Sequence, residues 1–314
     1  MTAVAVLFVL SIIMATSRAG AQTGAQGAPP AMHASGTHHS AHAGPGVKSN
    51  VALVIDGEQG ETLYAKHEDQ VAPIASITKL MTAMVVLDAQ LPPDEMIEID
   101  QADVDRLKHT HSRLPVGASL ERGELLRIAL MSSENRAAAA LARSYPGGTE
   151  ACVEAMNRKA TDLGMSQTHL ADPTGLSSEN VSSAPDLTRM VQAAARYPEI
   201  RDATTTSSHR VELTSGKVLE FHNSNGLVSN KSWNIGLSKT GYINEAGRCL
   251  VMMAEIATRQ VVIVLLDSWG KNTRLGDANR IRHWLEAAHP PAGTAHSVSG
   301  RSPSSTGRGG RTGH

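Results

Sequence analysis

Between residues 49 and 288 the apolar positions fall into two patterns. Runs of strand length lie at 51–55, 61–66, 237–242, 249–256 and 260–266. They are bounded by turn residues: Asp56-Gly57-Glu58-Gln59-Gly60 predicts a hairpin, and further turns fall at 244–247 and 258–259. The other pattern is helical. From Ser76 onward Ile77, Leu80, Met81, Met84 and Val85 recur at helical spacing, with Pro73 just ahead of the start. Ala83, Val86 and Leu87 fill the remaining faces, so this helix is expected to be buried. Helices are also expected at 121–131, around Leu125, Ile128 and Ala129, and at the Ala-rich 134–143. Thr149 reads as the cap of another, with Val153, Met156, Ala160 and Leu163 inward and Gly164 at its end. A helix at 185–196 has Ser183 as its cap, Pro185 in its first turn and Asp186 three residues after the cap. The last, 274–287, carries Leu275, Ala278, Ile281 and Leu285. The stretch between, up to Leu114-Pro115-Val116-Gly117, reads as loops with a short strand or turn. Strands at both ends with helices between them predict an α+β domain, an antiparallel sheet with helices on both faces.

The flanks differ in kind. An apolar run at 3–15 breaks at 16–18 and ends in Ala19-Gly20-Ala21, the mark of a secretory signal peptide over residues 1–21, although no Lys or Arg precedes it. Residues 22–48 are mostly Gly, Ala, Gln, Pro and His, and 289–314 mostly Gly, Ser, Arg and Thr, so both are expected to be tethers around one domain at 49–288. The apolar run is short for a span, and no amphipathic helix closes the chain, so no stable membrane anchor is expected after signal cleavage. A net charge of −1 and 3% aromatic residues speak against nucleic-acid binding. Of fourteen histidines, His33, His38, His39 and His42 lie in the first tether, and no H-E-x-x-H or C-x-x-C spacing occurs. No metal and no other cofactor is expected. Cys152 and Cys249 each lie in an apolar pattern, which suits a disulfide and two buried thiols equally.

Candidate chemistry begins with Ser76 and Lys79 on the buried helix. An i,i+3 pair shares a helix face, and burial lowers a lysine pKa toward that of a base, so hydroxyl and amine make a candidate nucleophile and its activator. Alone the pair is weak, since Ser268–Lys271 has the same spacing. Two further motifs raise it. Ser133-Glu134-Asn135 offers a hydroxyl and an amide at a break between helices, for proton relay and for holding a substrate amide. Lys239-Thr240-Gly241 offers a cationic strand to hold a carboxylate and polarise a carbonyl, with Gly241 allowing backbone to come close. The order is S-x-x-K, S-x-N 57 residues later, and K-T-G a further 106 on. Other S-x-N triplets, Ser178–Asn180 and Ser232–Asn234, lie in a loop and against the K-T-G strand itself.

On these residues the chain resembles the low-molecular-mass penicillin-binding proteins of the serine D-alanyl-D-alanine peptidase type, and within them the endopeptidase branch. PIASITKLMTAMVVLD, LMSSENRAAAAL, DPTGLSSENVS and WNIGLSKTGYINEAGRCLVM carry the likeness, which covers nearly all of residues 50–285. The resemblance implies a transpeptidase/β-lactamase-like fold with a mostly helical subdomain, and covalent reaction with β-lactam antibiotics. It implies Ser76 as the acylated nucleophile, Lys79 as its base, Ser133 as proton shuttle and Asn135 as holder of the substrate amide. Lys239 and Thr240 would bind the carboxylate end, with Gly241 beside them, and the backbone N–H groups of Ser76 and Tyr242 would form the oxyanion hole. The substrate class it implies is peptidoglycan peptides in a periplasm: an endopeptidase on D-Ala–diaminopimelate cross-links, or else a carboxypeptidase on terminal D-Ala. A β-lactamase is disfavoured because 167–172, where class A enzymes keep a deacylating glutamate, has none. A non-catalytic wall-binding scaffold has no use for a buried lysine beside Ser76. Asp172-Pro173-Thr174-Gly175 reads as a turn that gives shape, and His222 as a hydrogen-bonded structural residue rather than a base.

Overall fold

Unbroken apolar runs such as VALVI, LVMMA and VVIVLL have side chains to bury on both sides of a strand, and the structure gives them two layers. The computed structural model describes residues 44–288; the expected signal peptide, most of the first tether and the tail lie outside these residues. In chain order the elements are β1 (Val51–Asp56), β2 (Thr62–Lys66), β3 (Ala72–Pro73), a 3₁₀ turn (Ala75–Thr78) and α1 (Lys79–Asp88). Then follow β4 (Met96–Glu98), a 3₁₀ turn (Gln101–Asp103), β5 (Ser119–Glu121), α2 (Arg122–Met131), α3 (Asn135–Arg143) and α4 (Gly148–Asp162). After these come β6 (Val181–Ser182), α5 (Ala184–Ala194), α6 (Pro198–Thr205), β7 (Ser208–Glu212) and β8 (Val218–His222). A 3₁₀ turn (Gly226–Ser229), β9 (Asn234–Ile243), β10 (Gly247–Ile256), β11 (Arg259–Ser268) and α7 (Thr273–Ala288) complete the order.

The main sheet runs β2-β1-β11-β10-β9, every pairing antiparallel, which leaves β9 as an edge. Alternate residues face opposite ways. Leu53, Val251, Val262 and Val264 join a large core with α1 to α6, whereas Val54, Leu250, Met252 and Ile263 pack on Ala278, Ile281 and Leu285 of α7. Helices therefore cover both faces, as the pattern predicts.

Several local expectations change. Ser76 lies in a 3₁₀ turn and α1 begins only at Lys79. Pro73 lies in β3, paired with Val181, and does not open a helix. Thr149 is not a cap: α4 starts from Gly147 and Gly148, both at positive φ, where glycine is needed. The Ser183 cap holds, its side chain accepting from the Asp186 N–H. The short α6 and the β7–β8 hairpin have no counterpart in the sequence reading. Residues 45 and 47, read as tether, are buried, and the Lys48 and Ser49 N–H groups donate to Asp277 at 2.8 and 2.7 Å. Cys152 and Cys249 are two free, buried thiols.

Candidate active site

Leaving β3, the chain is fixed by the Ile74 N–H donating to the Asn180 carbonyl at 3.0 Å. It then kinks at Ala75, whose φ is +48°, into the turn that carries Ser76. Thr78 Oγ1 donates to the Ala75 carbonyl at 2.8 Å and itself accepts from Asn180 Nδ2 at 3.0 Å. Two glycines let other backbone reach this turn. A Cβ at Gly241 would lie 2.8 Å from the Ile74 carbonyl oxygen and 3.1 Å from the Ser76 nitrogen. At Gly175, where φ is +80°, it would lie 2.0 Å from the Ala75 carbonyl oxygen.

Lys79 follows on the first turn of α1, 1% exposed. Its Nζ donates to Ser76 Oγ at 2.8 Å, Asn135 Oδ1 at 2.7 Å and the Thr174 carbonyl at 2.6 Å. None of these is a carboxylate. Burial pushes the ammonium down to about 8, while the charges of Asp172, Glu134 and Asp105 pull it back up. A neutral amine keeps two N–H donors and one lone pair. The two carbonyl oxygens satisfy those donors, so the lone pair is left for the Ser76 hydroxyl. The geometry thus accommodates both protonation states of a base.

Ser133 occupies the break between α2 and α3 at φ +63°, a conformation unusual for serine. Its Oγ accepts from Lys239 Nζ at 2.9 Å, and Lys239 also donates to the Thr240 carbonyl at 2.9 Å. Lys239 is 1% exposed. Burial, then the charges of Lys79 and Arg274, hold it well below the usual lysine range. Thr240 Oγ1 donates to Ser224 Oγ at 2.7 Å, and Asn135 Nδ2 to Thr110 Oγ1 at 2.9 Å. The structure therefore brings Ser76, Lys79 and Asn135 into one network and Ser133, Lys239 and Thr240 into a second. Gly241 joins them where it abuts Ser76. Tyr242 stands at the rim, its hydroxyl donating to Asn244 Oδ1 at 2.8 Å.

Four participants escape sequence reasoning. The Thr174 carbonyl is one, presented by the turn that was read only as shape; Ser224 and Thr110 are two more. The fourth is Arg274, 8% exposed, whose Nε and one terminal nitrogen are buried without a partner among the described residues. His222 departs from its expected role, for it is exposed at the end of β8. Ser268, in the second S-x-x-K, bonds to Ser49 Oγ at 2.6 Å and lies outside the site. Among the described residues no cluster of His, Cys, Asp and Glu is arranged to hold a metal ion.

A serine hydroxyl with a buried amine beside it, facing a cationic sheet edge, fits a serine hydrolase. The chain belongs to the D-alanyl-D-alanine carboxypeptidase family of S11 peptidases, whose family model matches residues 37–270. It is 50% identical over 245 residues to a D-alanyl-D-alanine endopeptidase of Pseudomonas aeruginosa, covering 78% of this chain and 79% of that one. To the D-alanyl-D-alanine endopeptidase of Escherichia coli it is 46% identical over 243 residues, 77% and 78% of the two chains. The crystal structure of the Streptomyces K15 DD-transpeptidase superposes with a TM-score of 0.72 at 29% identity, covering 78% of this chain and 99% of that one.

Proposed function

We propose that this chain is a D,D-endopeptidase that hydrolyses D-Ala–diaminopimelate cross-links of peptidoglycan through an acyl-enzyme on Ser76. The observation that carries the reading is Lys79: a buried amine 2.8 Å from Ser76 Oγ, with its pKa pushed down to about 8. The Ser76 oxygen bonds to the D-alanine carbonyl carbon and its proton passes to Lys79 Nζ. The C–N bond to the leaving residue then breaks, and that amine takes up a proton relayed through Ser133. Water attacks the ester, gives a proton back through Lys79, and frees Ser76. Lys239, Thr240 and Arg274, two of whose nitrogens lack partners among the described residues, receive the carboxylate of the leaving residue, and Asn135 holds the peptide amide. The backbone N–H groups of Ser76 and Tyr242 take the developing oxyanion.

The choice of a cross-linked substrate is supported by the names of the two relatives above. The carboxypeptidase reading, release of terminal D-Ala by the same chemistry, is the alternative. Penicillin should leave slowly, because the Asp172 carboxylate is taken up by backbone N–H donors and lacks the freedom to activate water. The protein acts in the periplasm after removal of residues 1–21, with 22–44 and 289–314 as tethers, while 45–48 pack on the domain. Among the described residues no helix is long and apolar enough to cross a membrane.

Intact-mass measurement after incubation with penicillin tests the nucleophile: one adduct per chain is expected, and none on Ser76→Ala. Digestion of purified muropeptides tests the substrate. Dimers should be cut at the cross-link, and cleavage of monomers alone would hand the function to the carboxypeptidase alternative.

A further inference from the structure

Past Gly241 the edge strand β9 runs into a concavity of about 250 Å³ at the ends of β9, β10 and β11. Tyr242, Arg248, Asp267, Trp269 and Lys271 line it. Its link to the site is along β9, where Tyr242 directly follows the glycine that abuts Ser76.

Its chemistry has two parts. Tyr242 is 51% exposed and Trp269 84%. The other two tryptophans are used in packing, Trp233 at 9% exposure and Trp284 edge-on to Tyr64. An aromatic held out in water beside a reactive site is a surface for an aliphatic or planar group. The second part is charge. The Arg248 guanidinium stacks over Tyr242, 4.4 Å from the ring centroid, an arrangement that leaves its edge donors open. Neither Arg248 nor Lys271 is in an ion pair among the described residues, and Glu245 on the adjoining turn is engaged by Lys108 at 2.5 Å. Asp267 is the one carboxylate in the wall, set against Gly247, where a Cβ would lie 2.6 Å from its Oδ1. Two cations and one carboxylate within one small concavity match the two charges of a free amino-acid end, with a cation to spare.

The direction of the substrate follows from the reading above, on which this inference rests. With the leaving residue's carboxylate at Lys239 and Thr240 and the acyl carbon at Ser76, the donor peptide runs back along β9 toward Tyr242 and Asn244. At about 3.4 Å per residue, the residue preceding the acylating D-alanine is level with the concavity. In the proposed substrate that residue is diaminopimelate, whose side chain is an aliphatic stem ending in an ammonium and a carboxylate.

We propose that the concavity walled by Tyr242, Arg248, Asp267, Trp269 and Lys271 is a subsite for the free amino-acid end of the donor diaminopimelate side chain. The carboxylate meets Arg248 and Lys271, the ammonium meets Asp267, and the stem lies along Tyr242 and Trp269.

The test compares cross-linked dimers whose donor stem carries diaminopimelate with dimers carrying lysine there, which keeps the stem and ammonium and lacks the carboxylate. The wild type should favour diaminopimelate by about tenfold in kcat/KM, through KM, the size expected for one charge-assisted contact. Arg248→Met should lose that preference by falling about tenfold on the diaminopimelate dimer alone, with retained penicillin labelling showing that it is folded. Lys271→Met should do the same to a smaller degree. No discrimination by the wild type, or an equal loss on both dimers in Arg248→Met, overturns the subsite. So does Trp269→Ala lowering both dimers equally while Arg248→Met lowers neither, since the aromatics then serve another part of the substrate. A wild type labelled by penicillin that cleaves only uncross-linked peptides rejects the endopeptidase reading; pentapeptides carrying diaminopimelate or lysine then decide the subsite, which equal kcat/KM on the two overturns. A wild type without a penicillin adduct rejects both.

Discussion

Lys79 is buried among neutral acceptors, and the cost of its charge is what suits it to the proposed role of base. Acylation by penicillin should therefore speed up as pH rises and level off above about 8, the value to which burial pushes the ammonium. A rate flat from pH 6.5 to 9.5 would assign proton removal to another group. The same displacement has a stability consequence. The unfolded lysine titrates near 10.5 and the folded one near 8, so between these values the unfolded chain holds a proton that the folded chain has lost. By linkage, stability relative to Lys79→Met rises with pH across that window, by up to about 3 kcal/mol, and is lowest below pH 8. Denaturant midpoints of both proteins at pH 7 and pH 10 measure it. At this scale the sequence is legible where it offers a distinctive side chain: Ser76, Lys79 and Asn135 meet in one network, and Ser133, Lys239 and Thr240 in another. It is silent on Thr174, which contributes a carbonyl that any residue carries. Arg274 is missed for another reason, since an arginine in the first turn of an amphipathic helix reads as solvated until the strand behind it is known.

The loop after α4 shows how an element can matter through its shape. Asp172 Oδ1 accepts from the Thr174 N–H at 2.5 Å, Thr174 Oγ1 at 2.7 Å and the Gly175 N–H at 2.8 Å, and Oδ2 from the Ser177 N–H at 2.6 Å. One carboxylate thus folds the turn that presents the Thr174 carbonyl to Lys79. Asp172→Ala should cost about 2–4 kcal/mol of stability and slow penicillin acylation at least tenfold, since several part-buried donors lose their acceptor. Asp172→Asn keeps one accepting oxygen and should lie between the two. Equal acylation rates in all three proteins would detach the loop from the chemistry. The sequence identifies this turn from Asp-Pro-Thr-Gly, yet misses α6 and the β7–β8 hairpin. Those elements bury only Ile200, Ala203, Val211, Leu219 and Phe221 among their hydrophobic residues, too few to impose a period on so short a stretch. The 3₁₀ turn at Ser76 is likewise hidden, because residues 75–78 fit the helical spacing and only the contacts of Gly175 and Gly241 force the kink.

On the scale of the molecule, the site draws on two layers: Lys79, Ser133 and Asn135 come from the helical layer and Lys239 from the sheet edge, with the Lys239–Ser133 bond spanning them. Their distances persist only if helices and sheet stay together. The large core that joins them contains both cysteines, Cys152 on α4 and Cys249 on β10, each with no exposed surface. Burial pushes Cys152 up to about 12 and Cys249 up to about 11, so neither supplies thiolate at neutral pH. Native protein at pH 8 should therefore resist a thiol reagent, and denatured protein should take up two equivalents. Intermediate denaturant is the informative range. If helices and sheet share one cooperative core, pulse labelling followed by peptide mass analysis will modify Cys152 and Cys249 in parallel, at the midpoint where penicillin labelling disappears. Labelling of Cys152 ahead of Cys249 would mean that the helical wall opens by itself. Penicillin labelling should then fail at the lower midpoint, because acylation needs Lys79 and Asn135 on one wall and Lys239 on the other.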